Sequence, residues 1–247
     1  MDSIYPNPDR DQAPVLITKS KRSFGCWWVL LVLGLIITAG LGWYFRHNNL
    51  SPFEPPVANN SSVETLPPID ANQDPIQTDE IDINQITINA SGGKVVITPL
   101  AKYQVSAVVL SVRNYYDDWQ AEIVPTDLAL GWGSVADPNL NHDISFNQSG
   151  RWYYYYIDPK AELSQEYVIN HSSNHHIIPA SEAIKKAVKN LKEGKKIRMD
   201  GYLVGLIYTM ADGNYTITSS LTRADSGDGS CEVMYATKLQ VDDKIYQ

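Results

Sequence analysis

The chain has 247 residues, with 20 Lys and Arg against 28 Asp and Glu and a formal charge of −8. That balance argues against a nucleic-acid-binding module, which carries a basic excess. A hydrophobic fraction of 43%, with 15 Tyr and 6 Trp, excludes a wholly disordered chain, and two cysteines exclude a disulfide framework or a multi-cysteine zinc module.

Residues 1–23 form a short tail ending in Lys19, Lys21 and Arg22. From Phe24 to Phe45 no charge occurs. As a helix this stretch is roughly 33 Å long, enough to cross a hydrocarbon core. Trp27 and Trp28 at one end, and Trp43 and Tyr44 at the other, are placed for the two headgroup regions. The basic residues on the amino side predict a cytoplasmic N-terminus and an inner-membrane protein with its C-terminal part in the periplasm. A cleaved signal peptide fits less well, because the apolar run is long and aromatic residues stand where small ones are required. The lipid bilayer is thus the first expected partner, through Phe24 to Phe45.

Residues 46–93 read as an acidic, proline-rich linker. Between His47 and Gly93 there are seven acids, no Lys or Arg, and prolines at 52, 55, 56, 67, 68 and 75. Within it, IDINQITI at 81–88 alternates like an edge strand. Residues 94–247 have the size of one folded domain, with 15 basic and 18 acidic residues. Strand-like runs cover 94–99, 104–115, 150–157, 196–210, 215–221 and 231–241, with a hairpin signal at Asp212-Gly213. One helix is predicted, with Ser181 as N-cap, an apolar stripe of Ile184, Ala187, Val188 and Leu191, and Gly194 as its end. The expected fold class is α+β: an N-terminal transmembrane helix followed by a strand-dominated extracytoplasmic domain. Its element order fits a small Greek-key barrel of OB type with one helix.

The densest polar cluster is Asn170–His176, with His171, His175 and His176. Two of these histidines, at i and i+4 on a helix or converging from a loop, have the chemistry of a metal pair or of acid-base groups. The run contains no HExxH and no acid, and the plainer reading is a loop whose side chains hydrogen-bond backbone, so no metal site and no cofactor is expected. Cys231 is a candidate nucleophile for a distant histidine. In CEVMYA, however, it shares a strand face with Val233 and Tyr235, where a thiol packs as a small hydrophobe. The turn Ser226–Ser230 lacks the Lys-Ser/Thr and following helix of a phosphate cradle. Trp132 between two glycines, and Trp152 and Tyr154 in WYYYY, are candidate binding aromatics, with core packing as the alternative. Lys185, Lys189 and Lys192 lead a basic helix face suited to anionic lipid or an acidic partner.

The strings VPTDLALGWGSVAD, ISFNQSGRWYYYY, NHSSNHHIIPA, LKEGKKIRMDGYLVG and SSLTRADSGDGSCEVMY resemble, in this order, a group of bacterial membrane-anchored or exported proteins without an assigned activity. The resemblance covers about 100–247. It implies a Gram-negative inner-membrane setting and marks Asn174, His176, Arg223 and Cys231 as positions to test. Two functions are therefore expected. The first is a non-enzymatic single-pass protein whose periplasmic domain binds an envelope protein partner, with no nucleic acid involved. The alternative is a membrane-tethered periplasmic hydrolase using the His171/His176 region, with or without a metal ion, and with Arg223 and Cys231 as further candidates.

Overall fold

The computed structural model describes residues 66–247 apart from 91, 92 and 119. The predicted membrane segment, Phe24–Phe45, lies outside the described residues, among which no helix is long and apolar enough to cross a membrane. The chain divides into two units, Met1–Val63 and Glu64–Gln247, and the structural description concerns the second.

This unit is a strand-dominated α+β fold. Strands β1 (Ile76–Thr78) and β2 (Ile86–Ala90) arise within the stretch read as linker, and both pair antiparallel with β3 (Gly93–Asn114). β3 fuses two of the predicted runs. Pro99 lies inside it, at a shift in the register with the neighbouring strand, which is where a residue without an N–H is tolerated. Four further strands complete a ring with β3: β4 (Thr126–Gly131), β7 (Ser172–Pro179), β8 (Lys196–Met210) and β10 (Glu232–Val241). Pairing runs β3–β4–β7–β10–β8 and back to β3, with β7 and β10 parallel and the other pairs antiparallel. β9 (Gly213–Thr218) forms the expected hairpin on β8, and β11 (Lys244–Tyr246) pairs with β10. β5 (Ile144–Ser149) and β6 (Trp152–Ile157) make a separate two-stranded ribbon.

Alternation along the strands builds the core. Tyr103, Val105 and Ala107 of β3, Leu128 and Leu130 of β4, Ile177 of β7, Met199 of β8 and Met234 of β10 belong to one buried cluster inside the ring. Helix α1 (Gln165–Asn170) precedes β7, and α2 (Glu182–Lys189) connects β7 to β8. Ser181 caps α2 by accepting from the Ile184 N–H, and Ile184, Val188 and Leu191 of the predicted stripe join the ring's core. The C-cap is Asn190. Gly194, at φ +80°, belongs instead to the turn into β8, where its N–H donates to the Val109 carbonyl.

Two stretches outside the predicted strand runs are strands. Residues 126–131 form the fully buried β4, which leads into Trp132, and Trp132 is 0% exposed within the ring's core. It is a packing residue, not a presented binding aromatic. Residues 172–179 form β7, a polar strand enclosed between β4 and β10, whose neighbours satisfy its backbone.

Candidate functional site

Strand alternation splits the histidine cluster. His175 points into the ring. There its Nε2 lies 3.1 Å from the Tyr103 hydroxyl, and burial, followed by the Arg223 charge, lowers its pKa to about 3. His176 points to the outer face, as does Asn174 two residues earlier. His171 is elsewhere, at the C-cap of α1. It stacks on Tyr167 at 3.8 Å between centroids, and its Nδ1 donates to the Tyr167 carbonyl. Gly133 admits this aromatic pair: a Cβ there would stand 2.8 Å from the Tyr167 hydroxyl and 3.0 Å from the His171 ring. The structure therefore separates His171 from His176.

It brings His176 together with Asp127, Asn174 and Cys231. Asp127 on β4 and Val233 on β10 are both in register with His176 on β7. Cys231, two residues before Val233, falls on the same face. The Asp127 carboxylate is fully buried and accepts from His176 Nδ1 at 2.8 Å and from the Tyr115 hydroxyl at 3.0 Å. Arg151 Nη1 lies 3.6 Å from the same carboxylate. With Nδ1 committed to Asp127, Nε2 is the ring nitrogen left for the Cys231 thiol, which lies on the same face and interacts electrostatically with the ring. Burial works against a charged ring, but the hydrogen bond to Asp127 and the interaction with Cys231 outweigh it and carry the His176 pKa up to about 9. Asn174 Nδ2 stands 3.6 Å from Cys231 Sγ, and its Oδ1 accepts from Gln148 Nε2 at 2.6 Å, which fixes the amide with its N–H groups toward the sulfur.

The β5–β6 hairpin turn positions Arg151. Gly150 and Arg151 have φ of +58° and +66°, the pair of positive angles that a tight two-residue hairpin needs. A non-glycine residue there costs about 1 kcal/mol. The turn swings the guanidinium over the Tyr115 ring at 4.1 Å and onto Asp118 at 2.7 Å, behind Asp127. It also places Trp152, the next residue, in the cleft that Cys231 lines.

Cys231 is half-buried and lines a cleft of about 280 Å³ together with Trp152, Tyr154, Asn174, Arg223 and Glu232. Trp152 and Tyr154 are 42% and 52% exposed. Arg223 Nε lies 2.7 Å from Glu232 Oε1, but the N–H is not aimed along that contact, so the pair is ionic and not hydrogen-bonded. Burial raises the Glu232 pKa to about 8 against the opposing Arg223 charge. The basic residues of α2 are away from this cleft. Lys185 pairs with Glu182, and Lys189 sits over the Tyr116 ring at 4.5 Å. Among the described residues no group of three or more His, Cys, Asp or Glu side chains is disposed to hold a metal ion.

Sequence reasoning missed Asp127, Gln148, Arg151 and Glu232. A signal existed for the first: an Asp in the otherwise apolar run PTDLALG must find a buried partner if the run is a strand.

These pKa shifts have a stability consequence. Glu232, raised from 4.5 to about 8, favours the fold at low pH, and that contribution is lost as pH rises through 8. His176, raised from 6.5 to about 9, contributes stability that is lost between those values. His175, lowered to about 3, opposes folding only below 6.5. Stability is therefore expected to fall from pH 6.5 to 9. Urea midpoints across this range should decline, and Glu232→Gln should flatten the decline; a rising midpoint would contradict the assignments.

No known protein family, curated protein or solved structure matches this chain.

Proposed function

We propose that the domain is a cysteine-dependent acyl-transfer enzyme, a hydrolase or transferase, with Cys231 as nucleophile, His176 as acid-base and Asp127 as its orienting carboxylate. The observation that carries this reading is the line Asp127–His176–Cys231, from β4 across β7 to the residue preceding β10, opening on a cleft. Such an order of thiol, imidazole and carboxylate does chemistry in two halves. The thiolate attacks a carbonyl carbon, and the resulting oxyanion lies within reach of Asn174 Nδ2. His176 gives its proton to the departing amine or alcohol, leaving a thioester on Cys231. A water or second nucleophile then attacks the thioester, its proton passing to His176 as the thiol is released.

The ring topology β3–β4–β7–α2–β8–β10 supports assignment to the OB-type barrels: five strands close on the first, the third and last are parallel, and a helix lies between the third and fourth. The flanking charges of Phe24–Phe45 support placing the enzyme in the periplasm on an inner-membrane anchor.

The test is covalent. Incubation with p-nitrophenyl acetate should release nitrophenol in a burst and add one acetyl group to the Cys231 peptide by mass spectrometry. Cys231→Ser should abolish both. If the thiol stays unmodified while other thiol reagents reach it, the acyl-transfer reading fails. The binding-module reading would then be preferred, supported by the exposed stripe Trp152, Tyr154 and Tyr156 on β6.

A further inference from the structure

The cleft beside Cys231 contains an unfinished polar group. Ser173 Oγ, Arg223 Nε and both carboxyl oxygens of Glu232 are buried without a hydrogen-bond partner, and all three residues line this cleft. Arg223 and Glu232 offset each other as an ion pair at 2.7 Å, but Ser173 Oγ has no partner and the pair is not aligned as a hydrogen bond, so their convergence beside a nucleophile points to a ligand. Arg223 is the accessible member, with 18% of its side chain exposed against 1% for Glu232 behind it. Its outer nitrogens reach only neutral oxygens at long range, Nη1 to Gln77 Oε1 at 3.5 Å and Nη2 to the Ser220 carbonyl at 3.4 Å. The Tyr103 ring, 5.3 Å from the guanidinium carbon, backs the group. The fork of the guanidinium is thus held in place but weakly engaged, the arrangement that suits a planar carboxylate. Asp225, the other acid lining the cleft, accepts from Ser220 Oγ at 2.7 Å.

Resting on the acyl-transfer reading, we infer that Arg223 forms a carboxylate subsite, so that the acyl donors of this enzyme carry a free carboxylate near the carbonyl that Cys231 attacks. Glu232 acts behind Arg223 as a positioning residue. Facing it are His175 from β7, Tyr103 from β3, and Arg223 and Asp225 from the loop, with the His176 charge on the opposite side of β7. While Glu232 is neutral, the guanidinium charge is free for the ligand. Once Glu232 ionises, with its pKa near 8, it competes for that charge.

The probes are two matched pairs of alkylating agents, iodoacetate with iodoacetamide and 3-bromopropionate with 3-bromopropionamide, applied to the full-length chain in detergent. Alkylation is read on the Cys231 peptide by mass spectrometry and normalised to glutathione. At pH 7 the acid-to-amide rate ratio for one of the pairs should exceed that of glutathione by about tenfold, the equivalent of one charge-assisted hydrogen bond. Arg223→Gln should bring it to within about twofold of glutathione while iodoacetamide still reacts, and Arg223→Lys should retain part of the preference. The preference should fall as pH rises from 7 to 8.5, and stay flat in Glu232→Gln. Arg223→Gln/Glu232→Gln, which removes both charges, repeats the comparison if the single Gln variant fails to fold. A ratio no higher than glutathione's, one unchanged by Arg223→Gln, or one that rises with pH, overturns the subsite. If Cys231 reacts with none of the four reagents, the catalytic thiol itself fails and the subsite falls with it.

Discussion

Replacing His176 by Asn is expected to slow acylation of Cys231 by about 10²- to 10⁴-fold, the contribution of a positioned acid-base group. The imidazole is the ionisable group beside the thiol, and it remains protonated to about pH 9 because the Asp127 hydrogen bond and the interaction with Cys231 outweigh its burial. Without it the sulfur has neither a proton acceptor nor a neighbouring cation. Asp127→Asn should act through the same ring by a different route. An amide N–H in place of the carboxylate oxygen meets His176 Nδ1–H with a second donor, so the ring adopts the other tautomer and turns an N–H toward the thiol. The alkaline limb of the acylation profile, expected near pH 9 in the native chain, should move to lower pH in this variant as His176 loses its carboxylate. Rates of acylation by p-nitrophenyl acetate and of alkylation by iodoacetamide, measured from pH 5 to 9.5, check both statements. A purely structural His176 would leave the thiol's alkylation rate unchanged in a folded variant.

Replacing Gly201 by Ala is expected to produce a large loss of stability from a single methyl group. A Cβ at this position would stand 2.1 Å from the Tyr235 carbonyl oxygen and 3.1 Å from Ala236 Cα, both backbone atoms of β10. Neither can retreat without parting β8 from β10, where Gly201 is in register with Ala236 and Tyr202 with Tyr235. The cost should reach about 3 kcal/mol or more, at or beyond the upper end of ordinary overpacking, because backbone and not a side chain must move. The site should suffer too, since β10 carries Glu232 and directly follows Cys231. Gly205→Ala, in the same strand, is the control. Its nearest neighbours lie at 3.9 and 4.0 Å, and replacing a strand glycine there should be tolerated. Urea unfolding of the two variants should give a large drop in midpoint for the first and little change for the second; equal effects would show that the β8–β10 contact does not limit the fold.

The start and apolar stripe of helix α2 were legible, because cap and stripe are local patterns, but its end was placed at Gly194 and falls at Asn190. Most strands were legible for the same reason: Val, Ile, Tyr and Thr alternate between turn residues. β7 was not, since its sequence SSNHHIIP begins with five polar residues and looks like a loop. Its hydrogen bonds come from β4 and β10, which are 49 and 57 positions away at His176–Asp127 and at Asn174–Cys231. β4 was hidden by its glycine-flanked tryptophan, whose burial depends on the ring closing around it.

The candidate residues show the same division. Asn174, His176, Arg223 and Cys231 were marked by resemblance, but His171 was grouped with His176 by proximity in sequence, and strand geometry sends the two to different neighbours. Cys231 does share a face with Val233 and Tyr235, as alternation requires. That face is not simply apolar at its beginning, because β7 presents Asn174 and His176 there.

By itself, then, the sequence determined a charge-free stretch long enough to span a membrane, the acidic character of the segment after it, a strand-rich domain and the position of α2. Each rests on composition or on a short period that neighbouring residues carry. Only the tertiary structure decided that Asp127, His176 and Cys231 stand in line and that Arg223 and Glu232 meet behind the same cleft. Those juxtapositions follow from the register of three strands remote in sequence, and a shift of one residue in any of them would turn its side chain to the opposite face.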